Sequence, residues 1–221
     1  MTFAWSQSSK KVDEATAADF LQQFLAGGHR TVDTARIYAG GNSEKMLGAV
    51  LQKAGNRDAI ELVTKAHPSQ PEGLSPAGLR SQLTTSLEAM GVAKVDVLYL
   101  HQPDTNSPLT DTLECTHALM QEGLVAAFGL SNYSAVEVER CVAICKEKGY
   151  ALPVVYQGLY NAINRRVEAE LFPVLRASNI AFVAYNPLAA GLLTGKHAPE
   201  GDVKAGRFKV RAARPAGSAR R

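Results

Sequence analysis

The sequence predicts an α/β protein built on a parallel sheet, and three observations carry that prediction. Short apolar runs alternate with longer helix-like segments. The alternation repeats roughly every 30 residues, the length of a strand–helix unit. The apolar runs end, one after another, in polar residues. Six runs read as strands buried on both faces: 30–33 (RTVD), 59–65 (AIELVTK), 95–101 (VDVLYLH), 124–130 (LVAAFGL), 153–157 (PVVYQ) and 180–185 (IAFVAY). A weaker seventh candidate is 2–5, near the N-terminus.

The helices between them follow from spacing and caps. Residues 12–28 place Phe20, Leu21, Phe24 and Leu25 on one side. Ser43 and Glu44 open a helix through Leu47, Val50 and Leu51 that stops at Gly55. Ser75 and Pro76 start another that runs to Met90 and ends at Gly91. Three more cover 109–122, 135–148 and 166–178. Parallel strands joined by helices leave two architectures, an open doubly wound sheet or a closed barrel. The open sheet usually carries a GxGxxG turn after its first strand, and this chain has none. The segment from Gly191 to Lys196 imitates a phosphate loop, but three residues separate its glycines where four are required, and His197 stands in place of the Ser or Thr.

Composition narrows the function. With 221 residues, 46% of them hydrophobic, the chain can bury one sizeable core. No apolar run approaches the ~20 residues of a membrane span, and no signal peptide is visible. Cys115, Cys141 and Cys145 show no paired spacing, which fits a reducing compartment, and the expected location is the cytoplasm. Cys141 and Cys145 share a helix face, but no His or further Cys completes a metal site, so no metal is expected. The net charge of +3 comes from the end of the chain: residues 207–221 carry six basic residues and no acid, leaving 18 basic against 21 acidic residues elsewhere. That tail lacks a reading element for nucleic acid. Residues 209–221 are expected to be a disordered basic tail.

The chemistry lies at the strand ends: Asp33 with Tyr38 shortly after, Lys65, His101, Ser131 with Asn132, Gln157, and Tyr185 with Asn186. Taken singly, each has an ordinary structural explanation, a core histidine or a surface lysine. In a parallel barrel all these ends open on one face, where a shared site is built. A phenol beside an ammonium, a carboxylate and an imidazole suits proton donation to a carbonyl, with Lys65 lowering the phenol's pKa and Asp33 keeping the lysine charged. None of these side chains can supply hydride, so a cofactor is implied. Ser131, Asn132 and Gln157 have the donors and acceptors a carboxamide needs, and Tyr185 a flat face for a nicotinamide ring.

The segments VDTARIYAGGNSEKMLG, LVTKAHP, DVLYLHQPD, FGLSNYS, VVYQGLYNAINR and AYNPLAAGLLTGK resemble, in order, the signature segments of the aldo-keto reductases, closest to the aflatoxin-aldehyde (succinic semialdehyde) reductases. The resemblance runs from Met1 to Phe208. It implies a TIM (β/α)8 barrel of the NADP-linked oxidoreductase type, reducing aldehydes and ketones with NADPH, in a chain that pairs as a homodimer. It implies Tyr38 as proton donor, Asp33 and Lys65 as its tuning pair, and His101 orienting the substrate. It further implies cofactor contacts from Asp33, Ser131, Asn132, Gln157, Tyr185, Asn186, Pro187, Leu188, Gly191, Leu193, Gly195, Lys196 and Arg207. Against the family pattern the chain looks cut at both ends, with about seven strands and with strand eight and the last helices missing. On that view residues 1–208 form an incomplete barrel with exposed edges, marginal stability, partner pairing or aggregation, and weak or no NADPH binding. The alternative is an impaired relative that acts through a full-length subunit.

Overall fold

The computed structural model describes residues 3–4 and 12–195. Among these residues six α-helices alternate with six strands. The helices are α1 (Glu14–Ala26), α2 (Asn42–Ala54), α3 (Pro76–Met90), α4 (Leu109–Gln121), α5 (Ala135–Lys148) and α6 (Val167–Ala177). The strands are β1 (Thr31–Asp33), β2 (Glu61–Ala66), β3 (Val95–Leu100), β4 (Val125–Ser131), β5 (Val155–Leu159) and β6 (Ala181–Tyr185). Each expected strand is present with its ends moved by at most two residues. At the weak seventh candidate, Phe3 and Ala4 lie in a turn, with Ala4 at φ 57°, which is not strand geometry; Thr2 and Trp5 lie outside the described residues.

All neighbouring strands pair in parallel, in the order β1-β2-β3-β4-β5-β6. A doubly wound sheet would reverse its order part-way, and this one does not. Nor is it flat. Four spacings between β1 and β5 amount to about 19 Å in a flat sheet. Yet Gln157 Nε2 on β5 donates to Asp33 Oδ2 on β1 at 3.0 Å. The sheet therefore curls around an inner face as an incomplete barrel, leaving β1 and β6 as its edges among the described residues.

The pairing register sorts the strand residues by parity. Even-numbered positions Leu62, Leu98, Leu100, Phe128, Leu130 and Tyr156 point outward into the main core with the helices. Odd-numbered Val63, Val97 and Tyr99 form a small separate cluster on the inner face, with Ala127 and Val155 against it. Gly129 makes room inside: a Cβ there would stand 2.6 Å from Tyr99 Cε1 and 2.6 Å from Val155 O. Caps fix the helix starts. Asp13 accepts from the Thr16 N–H, and Ser134 and Glu137 form a reciprocal capping box on α5. Helix α1 corrects one expectation. It buries Ala17 and Leu21, while Phe20 and Phe24 are exposed; among the described elements its main contact is with α2, and a narrow stripe satisfies that contact.

Candidate active site

The parity that separates core from interior also gathers the polar residues. Asp33, Lys65, Ser131, Gln157 and Tyr185 are all odd-numbered and in register with inner-face positions. Asp33, Ser131 and Tyr185 end their strands and Lys65 is one residue from the end of β2, whereas Gln157, expected to end its strand, lies in the middle of β5, which runs on to Leu159. His101 directly follows β3, and its N–H donates to Ala66 O at 2.9 Å. Tyr38 sits on the turn between β1 and α2. One end of the curled sheet thus brings together the residues the sequence singles out.

Lys65 is at the centre. It is buried, forms an ion pair with Asp33, and donates to Thr34 O at 2.9 Å. Its Nζ also lies 5.2 Å from the centre of the Tyr38 ring and 5.6 Å from that of Tyr99, within cation–π range. Tyr38 and His101 meet edge to face with ring centres 5.8 Å apart. On its other side His101 meets His67 in the same way at 4.9 Å. His101 Nδ1 is buried without a protein partner, so packing between Tyr38 and His67, rather than a hydrogen bond, orients the ring.

The electrostatics differ from the expectation that Lys65 makes the phenol more acidic. Burial pushes the Tyr38 phenol well above its ordinary 10, and the Asp33 charge pushes it the same way. Burial also pulls the Lys65 ammonium down, against Asp33, which supports it. Because Asp33 is bonded to the lysine and stands near the phenol, its negative charge offsets the lysine's positive one. The His101 imidazole falls to about 3, through burial first and then the charges of Lys65 and His67. At neutral pH the site therefore holds a protonated phenol and a neutral imidazole, both able to donate to one oxygen.

Beside this group lies the amide set. Asn132, at φ 62°, donates to His101 O at 2.9 Å and to Ser131 Oγ at 3.0 Å, and accepts from Tyr185 Oη at 2.8 Å. Gln157 is tied to Asp33. Much of the hydrogen-bonding capacity of these amides is used within the protein, and what remains is the Ser131 hydroxyl, the Gln157 carbonyl and its second N–H, and one lone pair of Asn132. Past β6, Asn186 accepts through its carbonyl from Asn161 Nδ2 at 3.1 Å, and Pro187 and Leu188 are exposed. Gly191 and Leu193 belong to a short helical turn that Gly195 ends. Lys196, Arg207 and the tail lie outside the described residues. No cluster of metal-ligating side chains occurs among the described residues, where the three cysteines are free and buried and no helix is long and apolar enough to cross a membrane.

The model of the Aldo/keto reductase family matches residues 1–213. The chain belongs to that family. Among curated aldo/keto reductases it is 45% identical to human aflatoxin B1 aldehyde reductase member 4 over 206 residues, covering 91% of this chain and 62% of that protein. It is 44% identical to mouse aflatoxin B1 aldehyde reductase member 2, covering 91% of this chain and 56% of the relative. An aldo-keto reductase of Pseudocercospora fijiensis is 39% identical over 174 residues, 78% of this chain and 59% of its own length. The chain thus spans about three-fifths of the length of these relatives.

Within this aldo/keto reductase chain, sequence reasoning passed over two inner-face residues, His67 and Tyr99. A signal for both was present, since they continue the odd-numbered series of Lys65 and His101. It also passed over Arg36 and Glu44, whose pairing behind Tyr38 leaves no mark in the sequence.

Proposed function

We propose that this chain carries the carbonyl-reducing centre of an NADPH-dependent reductase of aldehydes and ketones, with Tyr38 as the proton donor. The observation that carries the reading is the convergence of Tyr38, Lys65, Asp33 and His101 at one end of the sheet. A carbonyl oxygen beside Tyr38 and His101 would accept from both the phenol and the imidazole. As negative charge develops on that oxygen, the Tyr38 proton passes to it, and the Lys65 ammonium stabilises the phenolate left behind. Partial burial and the Lys65 charge keep His101 neutral, so the imidazole polarises the carbonyl without competing as an acid.

When bound, the reduced nicotinamide supplies hydride to the carbonyl carbon. The residues present fit such a group: Ser131, Asn132 and Gln157 would meet its carboxamide and the Tyr185 ring its face. The loop from Asn186 to Gly195 has left-handed residues at Asn186, Ala189, Ala190 and Gly191. Such backbone turns its N–H groups into anion-binding hollows suited to a pyrophosphate. The names of the human and mouse relatives support aldehydes as the substrate class. The same reading places the protein in the cytoplasm, where free buried thiols are ordinary.

The test is the loss of NADPH absorbance with an aromatic aldehyde, repeated with Tyr38→Phe. Turnover should fall by ~10² to 10⁴ with cofactor binding retained. A phenylalanine variant as fast as the parent would remove Tyr38 from the role.

A further inference from the structure

The turn that carries Tyr38 adopts a conformation that L-residues avoid. Ala39, Gly40 and Gly41 follow the tyrosine at φ 51°, 62° and 88°, three left-handed residues in a row. Glycine takes such angles freely, whereas alanine sits there under strain, which persists only where the surroundings enforce it. The turn has hydrogen bonds of its own, among them the Asn42 N–H to Tyr38 O and Ala39 O. Tyr38 N–H donates to Ala35 O at 3.0 Å, Gly40 N–H to Ile37 O at 3.3 Å, and Asn42 Nδ2 to Ala39 O at 3.0 Å.

A buried ion pair closes the turn from behind. Arg36, two residues before Tyr38, pairs with Glu44 in the first turn of α2, and their side chains are 10% and 0% exposed. The guanidinium lies over Gly41, where any Cβ would collide with it. Glu44 Oε1 also accepts from the Thr64 hydroxyl at 2.7 Å, and the Arg36 N–H donates to Lys65 O at 3.1 Å. One carboxylate thus joins the start of α2, the strand that carries Lys65 and the residue flanking Tyr38. The pair sits on the Thr64 side of β2, opposite the Lys65 ammonium, so it touches none of the reacting groups.

We propose that the Arg36–Glu44 ion pair is the positioning element for Tyr38: it locks the left-handed turn and so holds the phenol against Lys65 and His101. This rests on the reading of Tyr38 as proton donor. Burial of both charges means that removing only one would strand the other. The informative variant is therefore the double change Arg36→Met with Glu44→Gln in the full chain, which removes both charges at similar volume. Its melting midpoint should stay near the parent's. Its kcat should fall ~10-fold to 100-fold, the scale of a misplaced reacting group, with KM for NADPH and aldehyde little changed.

A second readout needs no turnover. With tyrosine labelled with ¹³C at Cζ, the Tyr38 resonance is the one lost in Tyr38→Phe. In the parent it should stay flat through pH 10, because partial burial between Lys65 and His101 and the nearby Asp33 charge hold the phenol protonated; in the double variant it should move and titrate near the ordinary value of about 10. Arg36→Lys, which keeps the charge, should restore the parent resonance in part. A double variant with the parent's resonance and kcat overturns the proposal. So does one that loses its fold, because the pair would then support α2 as a whole rather than the turn. If Tyr38→Phe turns over as fast as the parent, the proton-donor reading fails alone, and the resonance still decides whether the pair holds the turn.

Discussion

Thr64 and Lys65 are neighbours in β2 and both are buried, but they face opposite ways. Thr64 looks outward and gives its hydroxyl to Glu44; Lys65 looks inward to Asp33 and the Tyr38 ring. The outward face of the sheet is apolar apart from a few positions such as Thr64 and meets the helices. The inward face has apolar packing only low in the sheet, at Val63, Val97 and Tyr99, and turns polar at the C-terminal end. The two faces differ because they answer to different requirements: the outer one removes apolar area from water, and the inner one holds charged and hydrogen-bonding groups in a fixed relation.

The largest effect that can break this comparison is on the outer face. Leu98, 1% exposed, should cost about 2–5 kcal/mol when cut to alanine, measured by urea unfolding. The inward Val183 on β6, an edge strand among the described residues, is 44% exposed and should change stability by less than about 0.5 kcal/mol on the same substitution. Equal costs at the two positions would mean that the outer face does not dominate the core.

A smaller effect sharpens the account of the inner face. Gly129→Ala places a methyl against the Tyr99 ring and the Val155 carbonyl. Backbone cannot yield cheaply, and Tyr99 is buried, so the ring must shift at a cost of about 1–3 kcal/mol. Tyr99 also faces Lys65, so the shift should reach the site, visible as a change in the near-ultraviolet circular dichroism of the tyrosines. An alanine variant with the parent's stability and spectrum would show spare room beneath the polar layer.

The strands are legible in the sequence because burial on both faces leaves an almost unbroken apolar run, and the polar layer because it interrupts those runs at their ends. Legibility stops where a residue's surroundings come from elsewhere in the chain. Glu44 reads as a solvated residue in a helix's first turn; only the arrival of Arg36 and Thr64 makes it a buried counter-ion. Gly40 and Gly41 announce a turn, but nothing marks Ala39 as left-handed. Phe20 and Phe24 fit a helical stripe, yet how wide a stripe is buried depends on how many neighbours α1 meets. The acidity of Tyr38 goes the other way from expectation for a related reason: spacing shows that Lys65 is near, whereas burial and the offset from Asp33 decide the sign.

The smallest effect concerns His101 and is confined to a slope. In the folded chain its imidazole titrates at about 3, against about 6.5 when unfolded. Between those values the unfolded chain binds a proton that the folded one refuses, so stability rises with pH across that window and is complete above it. His67, also lowered by burial, adds to the same slope. Carboxylates with lowered values, such as Asp104, act in the same direction but nearer their own range of about 4, which leaves pH 5 to 6.5 to the imidazoles. His101→Asn should therefore flatten the pH dependence of unfolding free energy in that interval, and adding His67→Asn should flatten it further. Above pH 8 each variant should differ from the parent only by a constant, the packing lost beside Tyr38. An unchanged slope in the double variant would mean that neither ring is desolvated, and that the mouth of the barrel is wetter than the edge-to-face packing of Tyr38, His101 and His67 requires.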